Sequence, residues 1–301
     1  MQLLVYILIY PLLRFISILP FSVLYLISDL VYFWLYRVFG YRKKVVRANL
    51  ELVFPDKSKG ELRRIEKAFY WHMCDIFLEM IKTISISVPE IQKRYVFTNV
   101  EELLQFEERK QSVMLMLPHY ANWEWVFSLN TKVSSAAFGI YQPLTNKYFD
   151  RLVRSLRAKW GTTLISTKQI WDIATTNNEE GKQAIYGIIS DQSPMVQKAH
   201  YWAPFMGITV PMHTGAEYLC KKFNLPVLYL KVEKVKRGYY QGTFTVLAED
   251  PDAHPDYEIT DAFFKEVENS ISEAPEYYFW THKRWKHRNR KPKEQAMVRA
   301  E

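Results

Sequence analysis

The sequence predicts an α/β protein: a mostly parallel central sheet flanked by helices, preceded by an amino-terminal membrane helix and a helical connector. Short apolar runs rich in strand formers, Val113–Leu117, Ala184–Ile189 and Pro226–Leu230, alternate with helical patterns near 146–160, 212–223 and 259–273. That alternation is the pattern of strand–helix–strand units, whose sheets are parallel and covered on both faces. The amino terminus is different in kind: from Leu3 to Phe39 the only charged residues are Arg14, Asp29 and Arg37.

A helix crossing the hydrocarbon core needs about 20 apolar residues. Phe15 to Tyr36 is long enough, although Pro20 and Asp29 interrupt it, and Leu3 to Leu13 alone is too short. No small-residue cleavage site follows the apolar stretch, which argues for a retained anchor over a secretory signal. The collar Arg42, Lys43, Lys44 and Arg47 comes next, and by the excess of cations on that side it predicts that the rest of the chain is cytoplasmic. Ser58-Lys59-Gly60-Glu61 has the form of a capping box that opens a helix. Leu62, Ile65, Phe69, Met73, Ile76 and Met80 then recur at spacings of three and four, one apolar face reaching roughly Ile84. The expected organisation is an anchor over 1–39, a helical connector over 40–95, an α/β catalytic domain over 96–288 and a basic tail over 289–301.

Composition narrows the classes. With 49% hydrophobic residues in 301, the chain can build one sizeable core, and only 10 Gly and 14 Pro, without a repeating period, argue against repeat or disordered architectures. Cys74 and Cys220 belong to no paired or metal-type spacing, so both are expected as buried thiols in a reducing compartment. The formal charge of +8 favours an anionic partner. Charge alone does not choose between lipid headgroups, acidic proteins and nucleic acid.

The first apolar run delivers the chain to Pro118-His119-Tyr120-Ala121-Asn122-Trp123-Glu124-Trp125. In parallel sheets, ligands bind beyond the carboxyl ends of strands, so this loop lies where chemistry is done. Five helical residues would set the His119 and Glu124 side chains about 140° apart, so the two meet only if a turn intervenes. Pro118 and Asn122 supply such a turn. If they meet, Glu124 holds one imidazole nitrogen while the other takes a proton from a hydroxyl near neutral pH. No serine or cysteine nucleophile stands beside them, which favours direct transfer to an acceptor over a covalent enzyme intermediate. The bare spacing is weak: with seven His and 32 acidic residues, about 0.7 such pairs are expected by chance. No other histidine has an acid five positions later, however, and this one follows a strand. On these residues alone, catalysis and an ordinary turn are both open.

The segment resembles the histidine–acid motif of the glycerolipid and lipid A acyltransferase superfamily. Val46–Val53 with Phe54-Pro55, Tyr141-Gln142-Pro143-Leu144, Arg157 followed by Gly161, Pro204-Phe205-Met206-Gly207, and Tyr278 to Lys286 are similar in type and order to the lipid A late acyltransferases. The resemblance runs from the anchor to about residue 288. It implies O-acyl transfer from a donor on acyl carrier protein to a hydroxyl of a lipid A precursor, on the cytoplasmic face of the inner membrane, with no cofactor or metal. It also implies His119 as general base, Glu124 as its orienting acid, and Arg157 and Asp191 as residues that bind or position substrate. Read without the resemblance, Arg157 is one cation among Arg151, Arg154 and Lys159 on a helix, and Asp191 is a turn residue after a strand. Gln142, where many relatives have Arg, and Ser190 before Asp191, where many have Pro, are departures that bear on the acceptor headgroup.

The run from His282 to Lys291 interleaves cations with Trp285, and beside a membrane segment it suits lipid or carrier protein better than nucleic acid; the bland reading is a solvated tail. Two rivals to lipid A acylation stand: transfer to a glycerophospholipid or aminolipid, and a non-catalytic membrane-tethered binding protein.

Overall fold

The computed structural model describes residues 2–290. Helix α1 (Gln2–Ile18) ends before Pro20, and α2 (Phe21–Tyr32) begins just after it, because proline lacks the N–H a continuous helix would use. α2 runs on as a π-helical segment to Phe39 and stops at Gly40, which takes the left-handed conformation that ends helices. The stretch long and apolar enough to cross a membrane is therefore Phe21–Phe39, 19 residues, with the break at Pro20 separating it from Phe15.

This helix has two unlike sides. Leu26, Leu30, Phe33, Trp34 and Phe39 are exposed, as are Leu4, Leu8, Leu12 and Phe15 on α1. The other side is bonded into the protein. Tyr25 Oη donates to Glu79 Oε1 at 2.8 Å, Ser28 Oγ to Asp75 Oδ1 at 2.8 Å and Tyr36 Oη to Glu66 Oε1 at 2.8 Å. Asp29 takes the Arg237 guanidinium at 2.6 Å. Hydrogen bonds to buried charged groups contribute roughly 1.5–3 kcal/mol each, so deleting residues 1–39 is expected to destabilise the remainder by several kcal/mol. Thermal unfolding of full-length and truncated protein in one detergent checks this, and an unchanged midpoint would mean that the segment is only a tether.

Three helices, α3 (Lys43–Val53), α4 (Lys59–Lys82) and α5 (Val88–Arg94), build the expected connector. The capping box is formed: the Glu61 carboxylate accepts from the Ser58 amide while Ser58 Oγ accepts from the Glu61 amide. The apolar face read from the sequence is the core face of α4 over most of its length, Phe69, Met73 and Ile76 being buried.

The remaining elements follow the predicted alternation: β1 (Tyr95–Phe97), α6 (Glu101–Glu108), β2 (Val113–Leu117), β3 (Ala136–Ile140), α7 (Lys147–Arg157), β4 (Thr163–Ile165), α8 (Gln169–Glu179), β5 (Ala184–Ile189), the hairpin β6 (Trp202–Phe205) and β7 (Ile208–Pro211), α9 (Gly215–Phe223), β8 (Val227–Lys236), β9 (Tyr239–Ala248) and α10 (Glu258–Glu273). Seven strands form one sheet in the order β1-β9-β8-β2-β5-β3-β4. Every neighbouring pair is parallel except β8–β9. β2 lies at the centre and all five of its residues are buried, as a strand covered on both faces requires. Its register with β5 pairs Val113 with Ile185 and Leu117 with Ile189. Each residue two positions past those last partners, His119 and Asp191, therefore emerges at the same edge of the sheet.

The cationic run near the carboxyl terminus is not simply a solvated tail. Trp285 stacks on Phe205 with centroids 5.5 Å apart and donates to the Phe205 carbonyl at 3.2 Å, and Arg284 is fully buried. Phe205 is brought there by a tight hairpin in which Met206 and Gly207 both have positive φ, the turn whose twist suits paired strands. Stretches far apart in sequence also meet: Asn49 donates to the Trp280 carbonyl at 2.8 Å, and Phe54 packs on the Trp280 ring. Residues 291–301, which include most of the expected basic tail, lie outside the described residues.

Candidate active site

The loop after β2 turns at once. Tyr120 N donates to Pro118 O at 2.8 Å, and Ala121 takes a left-handed φ of 48°. The loop is also zipped to the chain after α10: Ala121 N donates to Tyr277 O at 3.0 Å and Phe279 N to His119 O at 3.1 Å. The turn expected between His119 and Glu124 is present, but it does not join the two. His119 Nδ1 is 2.7 Å from Asp191 Oδ1, while Glu124 receives the Arg157 guanidinium, Nε at 2.9 Å on Oε2 and Nη2 on Oε1. The partner carboxylate of the imidazole is thus the one delivered by β5, and Glu124 faces the end of α7 because a guanidinium fork matches both of its oxygens. The four residues singled out from the sequence form two pairs around one loop.

The Asp191 carboxylate orders the imidazole. Burial alone would raise the Asp191 carboxyl, but the His119 imidazole and its hydrogen bonds reverse this and hold it below the ordinary value. An ionised carboxylate only accepts, so in the neutral imidazole Nδ1 carries the proton and Nε2 is the acceptor. The ring is partly exposed, 22%, above a carboxylate that is 1% exposed. Trp123 meets it edge-on at 5.4 Å and Phe279 lies along it at 6.0 Å. Nearby, Ser193 N donates to His282 Nε2 at 3.3 Å, and burial pushes that imidazole down to about 4, keeping it neutral. Burial would likewise lower Arg157, yet Glu124 raises it above its ordinary value, so the buried guanidinium keeps its charge.

An apolar cleft opens beside these pairs. Its empty volume, counting the open mouth, is about 660 Å³. Leu115 and Leu117 of β2, Ile185, Gly187 and Ile189 of β5 and Gly139 of β3 form its floor, Val126, Phe127 and Leu129 cover it, and Trp123 and Arg157 also line it. Alternate residues of a strand share a face; Gly139 lets Leu164 and Phe127 pack against the sheet, and Gly187 leaves open space. Trp123 touches both the cleft and His119. Among the described residues, no group of three or more His, Cys, Asp or Glu is placed to hold a metal, and Cys74 and Cys220 are buried free thiols.

A histidine held by a buried acid, with Trp123 linking it to an apolar cleft past the central parallel strand, is an arrangement able to move a proton beside a hydrocarbon chain. Comparison with known proteins gives the family. The family model for bacterial lipid A biosynthesis acyltransferases matches residues 2–287, and the chain belongs to that family. It is 22% identical over 255 residues to the lipid A biosynthesis palmitoleoyltransferase of Escherichia coli K12, covering 82% of this chain and 79% of the relative. The lauroyltransferase of the same organism is 22% identical over 254 residues, 82% and 80% of the two chains, and a lipid A biosynthesis acyltransferase of Shigella flexneri matches at 22% over 255 residues.

Trp123, Phe279 and Gln192, whose amide nitrogen is 3.4 Å from both ring nitrogens of His119, were not singled out from the sequence as site residues. Trp123 alone carried a usable signal, being a bulky aromatic inside the loop itself.

Proposed function

We propose that this protein transfers a fatty acyl group from acyl carrier protein to a hydroxyl of a lipid A precursor, with His119 as general base. The observation that carries the reading is the apolar cleft whose wall, Trp123, also packs on His119. His119 Nε2 takes the proton of the acceptor hydroxyl, and the hydroxyl oxygen attacks the thioester carbonyl of the donor. The ester C–O bond forms as the C–S bond breaks, and the proton on Nε2 passes to the departing thiolate. Asp191 holds the Nδ1–H and stabilises the imidazolium formed in between. The Glu124–Arg157 pair sets the charged rim between the cleft and the reacting carbonyl. The exposed apolar sides of α1 and α2, next to Arg37, Arg42, Lys43 and Lys44, support attachment to the inner membrane from its cytoplasmic side, where the acceptor is embedded.

The test is transfer by purified protein, with acyl groups of graded length on carrier protein and a lipid A precursor in mixed micelles; absence of acylated product would overturn the reading. The cleft makes a more specific expectation. A Cβ at Gly187 would have only the Phe138 carbonyl oxygen within 4 Å, at 3.7 Å, so Gly187→Val fills space without displacing backbone. Each buried methylene is worth about 0.8 kcal/mol, and occlusion of a few should lower turnover of the longest donor at least tenfold while sparing a shorter one. Equal loss on all lengths would place the acyl chain elsewhere.

A further inference from the structure

Helix α4 carries a second buried face that the apolar periodicity hides: His72, Asp75 and Glu79, spaced three and four apart, all lie within it. We infer that Glu79 is a positioning residue for acyl transfer, fixing the loop that carries His119 and Glu124 by holding Asn122. The inference rests on the acyl-transfer reading for its kinetic consequence, and on geometry alone for the rest.

Glu79 is fully buried, and the loop after β2, α2 and β9 converge on it. Its Oε2 accepts from Asn122 Nδ2 at 2.6 Å and from Tyr240 Oη of β9 at 2.8 Å, and its Oε1 accepts from Tyr25 Oη of α2 at 2.8 Å. Its backbone carbonyl accepts from Trp125 Nε1 at 3.1 Å, and Asn122 Oδ1 in turn accepts from Trp125 N at 2.9 Å. The middle of the loop is therefore gripped from below by one carboxylate, which satisfies three donors at once. Asn122 immediately precedes Trp123, the ring against His119, and Glu124, the partner of Arg157. An acid removed from water is costly, and its desolvation is seen in a carboxyl pushed up to about 7 by burial and by Asp75, with Lys234 and the tyrosine hydroxyls opposing. An apolar side chain would fill the space and avoid that cost. It would leave the Asn122 amide without an acceptor.

Positioning errors of about 1 Å cost on the order of 100-fold in rate, so Glu79→Ala is expected to lower kcat at least tenfold, by more than it raises KM for the donor. Glu79→Gln should keep most of the activity, because its amide oxygen still accepts from Asn122 and Tyr240 while its nitrogen donates to the Tyr25 oxygen. Asn122→Asp sets a second acid against Glu79, whose carboxyl must then take up a proton to donate to it, and is expected to be impaired increasingly as pH rises; adding Glu79→Gln supplies a permanent donor for that carboxylate and should recover activity at high pH. A readout independent of turnover is the carbon-13 signal of the His119 ring in histidine-labelled protein in detergent, assigned by its loss in His119→Ala. It should move in Glu79→Ala and Asn122→Asp and return in the Glu79→Gln, Asn122→Asp double variant. Unchanged kcat and an unmoved signal in Glu79→Ala would overturn the assignment, as would a double variant no better than Asn122→Asp. If Glu79→Ala does not fold, the comparison of Asn122→Asp with the double variant decides. If wild-type protein transfers no acyl group, the functional reading fails while the ring signal still tests Glu79.

Discussion

His119→Ala is expected to lower kcat by about 10²–10⁴-fold, the range a positioned acid–base residue supplies. His282 does not take its place, because its Nε2 already accepts from the Ser193 amide. The variant should still fold, but with a pH-dependent loss of stability that identifies the lost partner. In the native protein the Asp191 carboxyl is held below its ordinary value, with His119 the largest favourable cause. A depressed carboxylate contributes stability above its unfolded pKa, about 3.9, and loses it as pH falls through the folded value. Removing His119 removes that contribution, so the unfolding midpoints of variant and wild type should differ most at neutral pH and converge only as pH falls below the ordinary carboxyl value and through the lower folded one. Single-turnover transfer at pH 7, and thermal unfolding over a pH series from 7 down through the carboxyl range, are the measurements. Undiminished transfer by the variant would remove His119 from the chemistry.

The fold was legible in the sequence because its strands are short continuous apolar runs. Val113–Leu117 and Ala184–Ile189 appear as read, since central parallel strands leave no polar face to blur the pattern. The capping box at Ser58 is local chemistry and was equally readable. The pairing of site residues was not, because it depends on which strands are neighbours. His119 and Asp191 are 72 positions apart, and nothing local connects them. A signal was available in retrospect: both stand two residues beyond the end of an apolar run, and parallel strands in register bring such positions together. The polar face of α4 was hidden for a different reason. Hydrophobic periodicity marks Phe69, Met73 and Ile76, and it has no means of telling a buried His72, Asp75 or Glu79 from a solvated one. The amino-terminal segment read as apolar throughout, and only the structure separates its exposed side from the side where Tyr25, Ser28 and Asp29 are bonded to α4 and the β8–β9 hairpin.

Asp191→Asn is expected to reduce kcat about as severely as loss of the base, on the order of 10⁴-fold for an acid that fixes a histidine tautomer. The amide is isosteric, but its nitrogen cannot accept the Nδ1–H, and its oxygen carries no charge to stabilise an imidazolium. KM for the donor should change little, because Asp191 is 1% exposed and behind the ring. Glu124→Gln should show the opposite profile. It breaks a charge pair in which Glu124 is 8% and Arg157 20% exposed, and removing one partner of such a buried pair typically costs about 3–5 kcal/mol. Arg157 lines the cleft, so the loss should appear mainly as lower stability and a higher KM for long acyl donors. The two variants separate the pairing seen here from the alternative in which Glu124 itself orients His119. If Glu124→Gln matches His119→Ala in kcat while Asp191→Asn transfers at the native rate, the orienting acid is Glu124, and the loop must exchange partners when substrate binds.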